Sequence, residues 1–166
     1  NYTISINHNQ TYSDHFRITP TNISNETNYT ASIKIFYSSP FKMAFEQTDF
    51  SLQTWKDLNF SVEIPKCFPS GFYESAIFVQ GENETKKITI NITVLADINF
   101  STNNSVEMNL SDGDFGYIYL NVSNSGNKIL VINKTLGVPN NLTLLMLPGD
   151  QAIILPPCQT LLIPIR

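Results

Sequence analysis

Leu58-Asn59-Phe60-Ser61-Val62-Glu63-Ile64 alternates apolar and polar residues, and two runs of the same kind follow it, Phe72 to Val79 and Lys87 to Leu95. Successive strand residues point to opposite faces, so Phe60, Val62 and Ile64 share one face and Ser61 and Glu63 the other. Turn formers separate the runs, Pro69-Ser70-Gly71 and then Gly81-Glu82-Asn83. Working outward, similar runs lie at Ser32 to Tyr37, Val106 to Leu110, Tyr117 to Val122, Ile129 to Ile132, Ala152 to Leu155 and Leu161 to Ile165. Short alternating runs with turns about every 8–12 residues predict an all-β chain, an antiparallel β-sandwich. No 12-residue stretch keeps the apolar spacing and caps of an amphipathic helix.

Composition narrows the function. Charged residues are 14% of the 166, against about 25% in an ordinary soluble domain. Uncharged polar residues replace them: 19 Asn, 15 Ser and 15 Thr. The net charge of −4 and the scattered Lys and Arg leave no clustered basic face, which excludes nucleic acid as a partner. No 18-residue apolar run exists, since Pro148, Gly149, Asp150, Pro156 and Pro157 break the stretch from Leu142 to Ile165, so no membrane span is expected.

The asparagines are not randomly placed. Asn-x-Ser/Thr triplets begin at Asn1, Asn9, Asn22, Asn25, Asn28, Asn59, Asn83, Asn91, Asn99, Asn103, Asn109, Asn121, Asn133 and Asn141, and none has Pro in the middle. Fourteen of 19 Asn therefore sit in acceptor sequons for N-glycosylation, where chance at this Ser and Thr content gives about 3.4. The expected covalent additions are N-linked glycans, with no other cofactor. A first residue of Asn, with no charged and apolar leader, reads with the sequons as a mature secreted chain, and a trimmed one would look the same. The two cysteines, Cys67 and Cys158, lack CxxC partners and a nearby His. In an extracellular compartment one disulfide is the default, closing 91 residues at roughly 4–5 kcal/mol by the chain-entropy argument. Two free buried thiols are the alternative.

Enzyme chemistry has little to work with. His8 and His15 are the only histidines, both near the N-terminus, and no Gly-x-Ser-x-Gly elbow occurs. Asp14-His15 are neighbours on a strand, expected to point apart rather than form a dyad. Asp112-Gly113-Asp114 lacks the remaining ligands of a calcium loop and reads as a tight turn. Trp55, with Phe50, Leu52 and Phe60, reads as core at strand spacing, the alternative being an exposed binding patch. No catalytic, cofactor or metal site is expected.

The pattern resets near Asp97. Pro69-x-Gly71-x-Tyr73 resembles the turn into the penultimate strand of a secreted immunoglobulin-like module, and Tyr119 to Ile132 resembles the hairpin of tandem immunoglobulin-like cell-surface domains. Leu155 to Ile163 resembles the turn and strand that follow, with Cys158 where such turns usually have Gly. The expected organisation is an N-terminal strand and hinge (1–11), a first sandwich (12–97) and a second, incomplete one (98–166), because nothing follows Leu161–Ile165 as Phe72–Val79 and Lys87–Leu95 follow Phe60–Ile64. An open sandwich needs a cover. Asn1 to Asn7 alternates strictly, with Tyr2, Ile4 and Ile6 on one face, and could serve as a detachable strand inserted into the next subunit. Its other reading is the first strand of its own sandwich.

In whole-chain character the sequence resembles the subunits of archaeal surface filaments called threads, pilin-like β-sandwiches joined by donor-strand complementation. That resemblance implies residues 1–7 as donor strand, Cys67–Cys158 as disulfide, glycans on the Asn named above, and copies of the chain as partners in a head-to-tail polymer. The charge-poor composition also looks like a thermoacidophile surface protein, since few carboxylates are left to be protonated in acid. The alternative function is a monomeric cell-surface or S-layer-type ectodomain acting as a binding or adhesion module. Both place the chain outside the cell.

Overall fold

Where apolar residues alternate, the chain extends and pairs so that one face of each sheet is buried. The computed structural model describes residues 1–20, 30–103, 107, 109, 111, 114–132 and 152–165, and among them all regular structure is strand. The chain divides into two units, Asn1–Leu95 and Ala96–Arg166, so residues 1–11 belong to the first.

The described residues of the first unit form eight strands: β1 (Tyr2–Ile6), β2 (Thr11–Ile18), β3 (Ala31–Ser38), β4 (Lys42–Phe45), β5 (Asp49–Leu52), β6 (Lys56–Glu63), β7 (Gly71–Gln80) and β8 (Thr85–Val94). They form sheets of order β1-β8-β7-β3-β5 and β2-β6-β4. Every pairing is antiparallel except β1–β8, which is parallel. The inward residues of both sheets make one core, with Leu58, Phe60, Val62 and Ile64 meeting Ile77, Ile90, Ile92 and Val94. Phe60 is its hub: its ring lies 5.9 Å from Tyr2, 6.0 Å from Phe16 and 6.5 Å from Phe45. The turn before β7 is held as the Pro-x-Gly-x-Tyr motif implies, because Tyr73 Oη donates to the Pro69 carbonyl at 2.9 Å. This is the tyrosine corner of immunoglobulin-like sandwiches.

The second unit has β9 (Phe100–Thr102), β10 (Ile118–Asn124), β11 (Leu130–Ile132), β12 (Ile153–Leu155) and β13 (Thr160–Ile165), in sheets β13-β10-β9 and β11-β12. Its core among the described residues is Val122, Leu155 and Ile163, with half-buried Leu120, Leu130, Ile132, Ile153 and Leu161 around them. The Tyr119–Ile132 segment is not the expected hairpin. β10 pairs with β9 and β13 while β11 pairs with β12, so the chain crosses between sheets at residues 125–129. Side chains hold that crossing. Buried Asn124 donates from Nδ2 to the carbonyls of Lys128 (2.8 Å), Leu155 (3.1 Å) and Pro156 (3.0 Å), and its Oδ1 accepts the Gly126 N–H. Asn127 Oδ1 accepts the Asp97 N–H at 2.7 Å. Only glycine fits between: a Cβ on Gly126 would lie 2.4 Å from the Asp97 carbonyl oxygen.

Both cysteines are disulfide-bonded. Both occupy left-handed backbone, Cys67 at φ 61° and Cys158 at φ 55°. Cys158 thus adopts the conformation for which such turns usually use Gly.

Candidate functional site: exposed sequons and the N-terminal strand

Nine of the sequon asparagines are described. Asn1, Asn9, Asn59, Asn83, Asn91, Asn99, Asn109 and Asn121 are exposed and Asn103 is half-buried, while the two buried asparagines, Asn124 and Asn127, lie outside any sequon. Asn22, Asn25, Asn28, Asn133 and Asn141 lie outside the described residues. In a strand, residues i and i+2 share a face, so Asn59/Ser61 on β6, Asn91/Thr93 on β8 and Asn121/Ser123 on β10 place both members of each triplet on the outer face. Alternation alone favours that arrangement at these three. The other six described sequons begin outside the strands, where no such rule acts. Asn59 Nδ2 donates to Glu46 at 3.0 Å, and Asn103 Oδ1 accepts the Asn121 N–H at 2.9 Å.

The strand read as a donor is seated in its own unit. β1 runs parallel to β8 in the register Tyr2↔Ile90, Ile4↔Ile92 and Ile6↔Val94. Ile4 and Ile6 are buried at 4% and 7% exposure. Tyr2 donates to the His15 carbonyl at 3.0 Å, and burial, with the nearby Asp14 charge second, raises its phenol pKa. The alternating face therefore fills pockets, but pockets of the same chain. The bend that follows is tied to the turn after β6: Asn9 N–H donates to the Pro65 carbonyl at 3.3 Å, Ile64 N–H to the Gln10 carbonyl at 2.9 Å, and Cys67 N–H to His8 Nδ1 at 3.1 Å. One histidine is thus a backbone cap. Asn9 takes left-handed φ 60° to make the bend.

Asp14 and His15 do not point fully apart. Asp14 Oδ1 accepts the His15 N–H at 2.8 Å and lies 3.4 Å from the imidazole Nδ1, because the short carboxylate folds back on its own backbone. Its other oxygen accepts Tyr12 Oη at 2.7 Å, which with the His15 N–H holds the carboxyl below the usual range. Trp55 is 57% exposed rather than core, since it falls in the bend between β5 and β6 where strand spacing does not hold. Arg17 lies 4.3 Å from its ring centroid and pairs with both Asp57 oxygens at 2.8 and 3.0 Å. Of the Asp112–Asp114 turn, Asp112 and Gly113 lie outside the described residues, while Asp114 and Ser111 exchange hydrogen bonds at 3.0 and 3.2 Å. Among the described residues no group of three His, Cys, Asp or Glu could hold a metal, and no helix is long and apolar enough to cross a membrane.

Comparison with known proteins adds little. No protein-family model and no curated protein matches. Among solved structures, a family 123 glycoside hydrolase from Clostridium perfringens is 10% identical with a TM-score of 0.48, over 57% of this chain and 22% of that one, so the chain spans about a fifth of its length. A protein of unknown function from Porphyromonas gingivalis W83 is 16% identical (TM-score 0.37, 93% and 74% covered). The CsuC–CsuE chaperone–tip adhesion subunit complex of Acinetobacter baumannii Csu pili is 9% identical (TM-score 0.37, 97% and 82% covered).

Proposed function

We propose that the chain is part of an extracellular, N-glycosylated surface protein, in which it serves as a structural immunoglobulin-like ectodomain and not as an enzyme. The partition of asparagines carries this reading. Every described sequon Asn has solvent access for a glycan, and among the described residues the two buried asparagines are outside sequons and committed to hydrogen bonds. A disulfide supports an oxidising compartment. Low charge is consistent with a surface whose hydration comes from neutral polar groups and sugar. Filament growth by donation of β1 is the weaker reading, because that strand already completes its own core.

Mass spectrometry of the natively produced protein tests the reading. The expected result is an intact mass above that of the polypeptide, falling to it on chemical deglycosylation, with modified peptides that include some of Asn59, Asn83, Asn91, Asn99 and Asn121. A native mass equal to the bare polypeptide overturns it.

A further inference from the structure

A phenylalanine stands in water on the outer face of the larger sheet. Phe72, on β7, is 88% exposed, more than any other large hydrophobic residue among those described. A lone exposed apolar residue is ordinary, and the neighbours make this one informative. β7 pairs with β8 so that Phe72 stands opposite Thr93 and Glu74 opposite Asn91. Directly opposite residues have Cβ atoms about 4.5–5.5 Å apart and diagonal ones about 7–8 Å, within reach of an aromatic side chain. Phe72 is therefore the direct neighbour of the sequon's hydroxyl residue and the diagonal neighbour of its asparagine. On the other side of β8, the parallel register sets Thr3 beside Asn91 and Ser5 beside Thr93.

These residues share the outer face: Thr3, Ser5, Phe72, Glu74 and Asn91 are exposed and Thr93 is half-buried. Phe72, Glu74, Asn91 and Thr93 help line a shallow depression of about 300 Å³, at the small end of the roughly 300–1,000 Å³ range of ligand clefts. Its chemistry is one aromatic face beside three hydroxyls. A pyranose ring has the complementary make-up, with C–H groups on its faces and hydroxyls at its rim. The C–H groups suit the negative face of an aromatic ring, and the rim hydroxyls exchange hydrogen bonds with Ser and Thr. The second unit repeats the juxtaposition, since exposed Leu162 stands opposite Asn121 and exposed Tyr119 lies two residues before it on the same face.

We propose that the first sugar on Asn91 lies flat on the Phe72 ring, its hydroxyls meeting those of Thr3, Ser5 and Thr93. The glycan is then a structural cover of the β7–β8 face as well as a source of hydration. This inference rests on the reading of the chain as N-glycosylated and singles out one site within it. A sugar is favoured as the occupant because its attachment point lies in the depression itself. The covalent tether also spares the contact the entropy cost of association.

The natively produced glycoprotein tests this, with occupancy of Asn91 read first by mass spectrometry of its peptide. Amide exchange in β7 and β8 is then followed through a double-mutant cycle of Phe72→Ala and Asn91→Gln, the latter keeping a side-chain amide while removing the acceptor. Each single variant is expected to speed exchange roughly three- to tenfold, and the double variant little more than either alone. Phe72→Tyr, which keeps an aromatic face, is expected to keep the slow exchange. Losses that multiply in the double variant mean that the ring and the sugar act separately, which overturns the proposal and leaves glycosylation of the chain standing. An unmodified Asn91 beside other modified sequons does the same. A chain with no modified sequon overturns both readings.

Discussion

Eighteen buried side chains form the core of the first unit, and three form that of the second among the described residues. Two sources make up most of the difference. β1, β7 and β8 bring Ile4, Ile6, Ile77, Ile90, Ile92 and Val94 into the first core, and β2, β3, β5 and β6 bring nine residues where β10 to β13 bring three. What ties each unit's turns differs accordingly. The first packs aromatics, with Phe41, Phe68 and Tyr73 rings 4.8 to 5.3 Å apart, while the second uses the side-chain amides of Asn124 and Asn127. Directed hydrogen bonds hold turns in both units, as Tyr73 does before β7, and the first adds the aromatic contact area.

The largest test of that contrast is Ile4→Ala. Removing a buried isoleucine costs about 2–5 kcal/mol, and the loss is expected in the first unit alone, read as faster hydrogen exchange in β8 with unchanged exchange in β10 and β13. The same variant decides where β1 works. A strand acting only in another subunit would leave the isolated monomer as stable as before.

Asn124→Ala comes next and addresses the second unit. Three carbonyls lose their donor, at about 1–3 kcal/mol if they remain buried without a partner. Tyr73→Phe is its counterpart in the first unit and costs less, about 0.5–1.5 kcal/mol, because the Pro69 carbonyl is left at an exposed site where water replaces the phenol. Denaturant unfolding of both variants checks the order. Equal losses would mean that the two units do not differ in how they are fastened.

Much of this architecture was legible because burial imposes a period of two, as in β6, β7 and β8. β2 was hidden by Asp14, a carboxylate at an inward-register position tolerated because Tyr12 and the His15 amide hydrogen-bond it. β4 and β5 have four residues each, too few for a period to register. The crossing after β10 looked like a hairpin because Asn and Gly are also hairpin-turn residues, and only the paths of Asn124 and Asn127 reveal that side chains hold it. Trp55 misled because strand spacing was carried through a bend. The sequons were the clearest signal, although three of the nine described follow partly from strand alternation. The parallel seat of β1 had no local signature, since nothing in Asn1–Asn7 names its partner.

The smallest expected effect is in acid. Asp14 is held below the ordinary aspartate pKa of about 3.9 by the Tyr12 hydroxyl first and the His15 amide second, and Asp57 chiefly by its hydrogen bond from Arg17. A carboxyl depressed in the folded state stabilises it above the unfolded pKa, and that contribution is lost as pH falls through the lower, folded value. Both groups are in the first unit and open to solvent, so each contributes little. Stability measured from neutral pH down to about pH 2 is therefore expected to fall more shallowly below pH 4 in Asp14→Asn than in the parent, with Asp57→Asn changing the slope in the same direction and losing its sensitivity to salt. An unchanged acid slope in both variants would assign acid sensitivity to other groups and leave the aromatic and aliphatic core as the whole of the first unit's advantage.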